Sequence, residues 1–145
     1  MKQKTARISP GYLQNGVIYQ LFLRVCTPEG TLRSAMKLLP HIASLGATIV
    51  YLCPIAEADD DPDPRYWSER QRKAGTNNPK NPYRIKDFFA VDPEYGTRDD
   101  LRAFIREAHR CGLRVMLDLV FYHCGPKAVH LAAHPEYALR DEKGD

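Results

Sequence analysis

Three runs of apolar, β-branched and aromatic residues, Val17 to Leu23, Thr48 to Cys53 and Arg114 to Phe121, predict strands. Polar positions do not alternate cleanly through any of them, so both faces are expected to be covered, as in a parallel sheet. Between the second and third runs, Leu101, Phe104, Ile105 and Ala108 recur on one stripe at helical spacing. Thr97 stands as N-cap with Asp100 three residues on, Asp99 and Asp100 place acid in the first turn, and Gly112 follows the last turn. The connection between the first and second runs has the same plan: Thr31 as cap, a stripe of Leu32, Ala35, Met36, Leu39, Ile42 and Ala43, and Gly46 as terminator. Pro40 interrupts that stripe and predicts a kink or two short helices. The stretches Ser44 to Leu52 and Arg110 to Asp118 read as two turns of one repeated unit. The order is β-α-β-α-β with right-handed crossovers, an α/β fold. This pattern fits a doubly wound sheet and the start of a barrel equally well.

Composition narrows the class. A chain of 145 residues that is 43% hydrophobic and 27% charged reads as one soluble, globular unit, with no run suited to a membrane span. Its net charge of +3 is scattered without a Lys/Arg stripe, which argues against nucleic acid as partner. The basic start, Met1 to Arg7, is followed by no apolar run long enough for a signal peptide, so a cytoplasmic location is expected. Cys26, Cys53, Cys111 and Cys124 form no C-x-x-C pair and are expected to be reduced, with Cys53 and Cys111 in packing roles. Cys124 follows His123, so a reactive thiol there is conceivable, but the sequence identifies no activating partner for it.

The candidate chemistry lies in two segments. Asp118-Leu119-Val120-Phe121-Tyr122-His123 is an apolar run that carries an acid and ends in a histidine, a costly pair to bury unless it is hydrogen-bonded or functional. Upstream stands Asn81-Pro82-Tyr83-Arg84-Ile85-Lys86-Asp87-Phe88-Phe89-Ala90-Val91-Asp92-Pro93-Glu94-Tyr95-Gly96-Thr97. In this order and spacing the two segments resemble the alpha-amylase family of glycoside hydrolases, with its Tyr-x-x-x-Asp-aromatic stretch ending Asp-Pro-Glu-Tyr-Gly-Thr and its Asp-x-Val-x-x-His strand.

That resemblance implies a (β/α)8 TIM barrel of which residues 1–145 are the N-terminal part, truncated after strand three. A long loop at 55–81 would follow strand two, and the post-strand-three excursion would open at 124–145. A full barrel takes about 250 residues. The family's nucleophilic Asp, acid/base Glu and supporting Asp sit on strands four, five and seven, so no catalytic residue is expected within this segment. Retaining cleavage needs two carboxyl groups about 5 Å apart. The implied substrate is an α-linked glucoside or α-glucan; the same barrel start serves hydrolases, transglycosylases and isomerases of α-glucosides, so linkage and reaction outcome stay open, and the segment is expected to be inactive alone.

The resemblance assigns substrate-binding roles to three residues. Tyr83 would stack beneath the sugar on the non-reducing side of the cleaved bond. His123 would donate to that sugar's 6-hydroxyl, and Asp118 would hold neighbouring side chains in place. On residue type alone, Tyr83 reads more readily as a loop aromatic packed on the sheet, and His123 fits a satisfied strand-end histidine as well as a ligand. Trp67 is a candidate contact for a more distant sugar, though a clasp holding the long loop fits it better. Most family members carry Asn before this His as a calcium ligand. Tyr122 stands there, a phenol being a poor ligand for calcium, so no metal or cofactor is expected. Asp59, Asp61 and Asp63 imitate a calcium loop, but Pro64 and the missing closing Glu make a solvated acidic loop the better reading.

Two other classes stay open. His123, His130 and His134 could form a zinc-binding module, although Pro135 disfavours helix at His134. A non-catalytic carbohydrate-binding protein could keep Tyr83 and His123 without the carboxylates. Unpaired sheet edges on strands one and three are expected to favour self-association.

Overall fold

The computed structural model describes residues 8–74 and 80–139. A short helix α1 (Gly11–Gln14) leads into β1 (Ile18–Leu21), which turns directly into α2 (Leu23–Cys26). Helices α3 (Leu32–Ala35) and α4 (Leu39–Ser44) then return the chain to β2 (Ile49–Leu52). After β2 come β3 (Ala56–Ala58), α5 (Glu69–Ala74), β4 (Ile85–Val91), α6 (Arg98–Arg110), β5 (Arg114–Leu117) and α7 (Val129–Ala133). The three parallel strands run in the order β1-β2-β5, with Ile18 opposite Ile49 and Ile49 opposite Arg114. This is the expected β-α-β-α-β unit.

The helices form where their end signals stand. Thr97 accepts a hydrogen bond from the Asp100 amide while the Asp100 carboxylate accepts from the Thr97 amide, so a capping box starts α6. Gly112, at φ +76°, supplies the left-handed turn that releases the chain into β5. Thr31 and Ser34 cap α3 in the same reciprocal way. Pro40 divides the earlier helical stretch as expected: a 3₁₀ turn over Met36–Leu38 separates α3 from α4, and Pro40 sits in the first turn of α4, where its missing N–H costs nothing.

Side-chain alternation sends Val50, Leu52 and Leu21 to the helix side of the sheet. There they join Leu32, Leu39, Ile42, Phe104, Ala108 and Leu113 in the core. Full burial of one such side chain contributes about 1.5–3 kcal/mol. The opposite face differs from expectation. Among the described residues nothing seals it along β1, where Ile18 and Gln20 are exposed. The third strand is also shorter than the apolar run suggests. It ends at Leu117, and the Asp118 amide adds one last bond to the Leu52 carbonyl. Past that point β2 runs into Pro54, which has no N–H to extend the ladder, so Leu119, Phe121 and Tyr122 are exposed rather than buried on a strand.

The long stretch after β2 is more ordered than a loop. β3 pairs antiparallel with β4, and residues 75–79 of the expected 55–81 loop lie outside the described residues. Asp92, fully buried, ties this hairpin down: it accepts from Lys80 Nζ (2.8 Å), the Ala58 amide (2.9 Å) and the Glu94 amide (2.9 Å). Burial by itself would raise the Asp92 pKa, but Lys80 and the two amides outweigh it and hold the carboxyl below its ordinary range. A carboxylate with a lowered folded-state pKa stabilises fully above its unfolded value of about 3.9, and that contribution is lost as pH falls through the folded value. Asp92→Asn should therefore cost about 2 kcal/mol at pH 7. The gap from wild type should begin to close only below about pH 4 and vanish once pH has fallen past the lowered folded-state value, which melts taken across pH will check.

Candidate functional site

The site residues stand beyond the C-terminal ends of the parallel strands, where open and closed parallel α/β sheets carry their binding sites. Tyr83 is set there by a turn. The Asn81 carbonyl accepts from the Arg84 amide (2.8 Å), the Asn81 side chain accepts from the Tyr83 amide (3.0 Å), and Pro82 occupies the position that its fixed φ suits. The Tyr83 hydroxyl then donates to Asp118 Oδ2 at 3.1 Å, one residue past β5. Burial, and after it the Asp118 charge, push the Tyr83 phenol up to about 12, so it remains a proton donor across the physiological range. Burial and Asp118 also raise the pKa of Tyr51, in the middle of β2.

Asp118 is thus a shared acceptor that holds an aromatic ring in place across two elements. Tyr83 is 40% exposed, so it is not sealed within the protein. Pattern reading misses Tyr51 and Gln20. Gln20 donates from Nε2 to Cys53 Sγ at 3.3 Å, linking the ends of β1 and β2 on the same side. The available signal is a lone amide inside the first apolar run.

A second group gathers around the chain after β5. Asp59, with no exposed surface, accepts from the Asp61 amide (2.8 Å) and from the Lys127 amide (2.7 Å), and its own amide bonds the Arg84 carbonyl (2.7 Å). The Gly125 amide donates to the Ile85 carbonyl at 2.7 Å. These bonds clamp residues 125–127 onto β4 and the loop after β3. His123 is exposed just ahead of that clamp, in the wall of an open cleft of about 980 Å³ that Trp67, Arg84 and His130 also line. The structure therefore joins Tyr83 to Asp118 and places His123 and Trp67 in the lining of one cleft, which Tyr83 does not line.

One sequence reading is corrected, and two alternatives that the sequence disfavoured find no support among the described residues. The acidic run is not a solvated loop: Asp59 and Asp61 are buried, Asp61 pairs with Lys127 Nζ (3.2 Å), and Asp63 pairs with Arg65 (2.7 Å). Successive carboxylates accept from the backbone two residues ahead, so the run folds on itself. The three histidines are not gathered either. His130 packs at a tilt on Phe88 and His134 stacks on Tyr137 while bonding Glu136, and no metal-holding group of three is found among the described residues. Cys124, like the other three cysteines, is a free thiol, but burial and then Asp59 raise its pKa, which opposes a reactive thiolate. Trp67 donates from Nε1 to the Asp61 carbonyl (3.3 Å), consistent with a clasp on the loop.

A parallel α/β sheet with an aromatic-carboxylate pair at its C-terminal edge and an imidazole on the loop beside it places the chain among the enzymes and binding proteins that use this face. The Alpha amylase, catalytic domain family model matches residues 6–142. The malto-oligosyltrehalose trehalohydrolase of Deinococcus radiodurans is 34% identical over 126 residues, covering 86% of this chain and 18% of that protein. The crystal structure of an alpha-amylase from Lactobacillus plantarum superposes with a TM-score of 0.78 at 34% identity, over 92% of this chain and 29% of its own. That of a maltogenic alpha-amylase from Thermotoga neapolitana gives 0.73 at 29% identity, over 92% and 29%. The chain belongs to the alpha-amylase family. It spans about a fifth of the length of the curated relatives it matches, 18% of the first.

Proposed function

We propose that these residues are the N-terminal three strands of a (β/α)8 barrel and supply the sugar-binding side of an active site that cleaves α-linked glucosides by retaining double displacement. The hydrogen bond from Tyr83 to Asp118 carries the reading. It anchors the phenol at the sheet's C-terminal edge in a residue that is still 40% exposed, which supports its use as a platform for the CH face of a pyranose. In this reading His123 donates to a sugar hydroxyl from the adjoining loop. Trp67 lines the same cleft with its indole N–H engaged by the Asp61 carbonyl, so a sugar contact there would be made by the ring and not by its N–H.

Retaining cleavage requires an attacking carboxylate and a protonating carboxylic acid on opposite sides of one bond, about 5 Å apart. In the family these come from later strands. Asp118 is committed to Tyr83, and Asp59 and Asp92 are buried and occupied by amides, so none of the three suits either task. The chain by itself should release no p-nitrophenol from a p-nitrophenyl α-maltooligosaccharide above a matched blank. Steady release would place the two carboxylates within these residues and overturn the division of labour. With β1 and β5 each lacking a neighbour on one side among the described residues, the isolated chain is also expected to self-associate.

Calcium plays no part in this reading. At the position of the family's ligand, Tyr122 is 94% exposed and offers only a phenol, which does not fit a cation that prefers carboxylate and carbonyl oxygens. The melting temperature should be the same with excess calcium and with chelator. A rise with calcium that disappears in Asp59→Ala would return the acidic run to the list of metal ligands.

A further inference from the structure

Helices α3 and α6 pack side by side, and an open groove of about 610 Å³ runs along their outer side. It shares no lining residue with the cleft around His123. Its walls are basic. Arg33 and Lys37 stand one turn apart on the stretch that begins with α3, Arg106 and Arg110 one turn apart on α6, and all four are exposed. Like charges at this spacing work against a helix, so neither pair serves the helix that carries it.

Two of the four cations are answered within the chain. Glu107 takes Arg110 in a bidentate pair (2.6 and 2.9 Å), and Asp100 takes Arg33. Lys37 and Arg106 meet no acceptor among the described residues. The rest of the lining is apolar: Met36, Pro40 and Ala103. With four cations and one carboxylate, this single surface carries a net charge equal to the +3 of the whole chain.

The combination narrows what would cover it. A nucleic-acid backbone would meet the cations and leave the apolar strip unmatched. A wholly apolar helix would fill the strip and leave Lys37 and Arg106 facing no carboxylate. A helix with an apolar row and acidic flanks matches both, because a groove between two helices seats the row while the flanks reach the rims.

We propose that this groove docks an acidic amphipathic helix of a partner protein. Its apolar row would lie on Met36, Pro40 and Ala103, and its carboxylates would pair with Lys37 and Arg106. The inference is independent of the sugar-binding reading and stands or falls without it.

The test is fluorescence anisotropy of a labelled peptide of about 18 residues, five helical turns, with Glu along both flanks and Leu along the row between. It is titrated with the 145-residue chain in low salt. Binding is expected to weaken about ten-fold or more in the double variant Lys37→Glu, Arg106→Glu, where attraction becomes repulsion. It should also weaken when Ser replaces Leu in the peptide. Lys37 and Arg106 are exposed, so the double variant should melt with wild type. If it does not, the comparison of peptides on the wild-type chain decides. No binding overturns the proposal, as does binding that survives charge reversal in the folded variant. Equal binding of the Ser peptide overturns the apolar half. A single-stranded oligonucleotide that binds more tightly than the peptide and is lost in the same variant assigns the groove to nucleic acid and overturns the whole.

Discussion

Gly125→Ala is expected to destabilise the chain by about 3 kcal/mol, at the upper end of what overpacking costs. A Cβ built on Gly125 would overlap the Asp59 side chain, whose carboxyl group cannot retreat. It has no exposed surface, and its two oxygens hold the amides of Asp61 and Lys127. Moving it breaks buried charge-assisted bonds, and keeping it forces Gly125 off β4, where its amide meets the Ile85 carbonyl. For a chain of this size that loss lowers the melting temperature by roughly 10 °C. Gly11→Ala is the matched control, because a Cβ there meets nothing within 4 Å and should change little. If Gly125→Ala melts with wild type, the clamp that positions His123 is not rigid.

The consequence would be felt at the site. His123 stands two residues before Gly125, on a stretch that has left the sheet, so its position depends on the clamp rather than on strand pairing. This is the part that the amino-acid pattern conceals. Residue patterns predict α6 to its cap, because Thr97, Asp100 and Gly112 act on their own neighbours. They predict the break at Pro40 for the same reason. What they cannot predict is a partner 68 residues away: that Asp59 would reach the Lys127 amide, turning an acidic run from solvated to buried, follows only from the approach of two loops. The early end of β5 is likewise decided by its neighbour, since an apolar run extends a strand only while the strand beside it offers N–H and C=O groups. The Tyr83, Asp118 and His123 assignments came from the resemblance. Geometry adds the bond from Tyr83 to Asp118, and it adds Tyr51 and Gln20, which no motif marks.

The proposal at the centre is that His123 and Tyr83 bind the sugar and do so differently. In a form of the protein that carries the whole barrel, a hydrogen bond from His123 that strengthens as oxocarbenium-like charge develops contributes about 1.5–3 kcal/mol. Its loss in His123→Ala should lower kcat/KM by about ten- to a hundred-fold. A contact made mainly in the transition state puts that loss in kcat and leaves KM nearly constant. Tyr83→Ala removes a stacking surface that serves the ground state almost as well, so KM should rise more than kcat falls. The decisive measurement is the steady-state kinetics of His123→Ala on a maltooligosaccharide, after melting has shown the variant folded. The account predicts a ten- to hundred-fold lower kcat/KM carried by kcat, of the order one such hydrogen bond supplies. A folded His123→Ala enzyme with wild-type kcat/KM would contradict it and leave His123 as a loop residue beside the cleft.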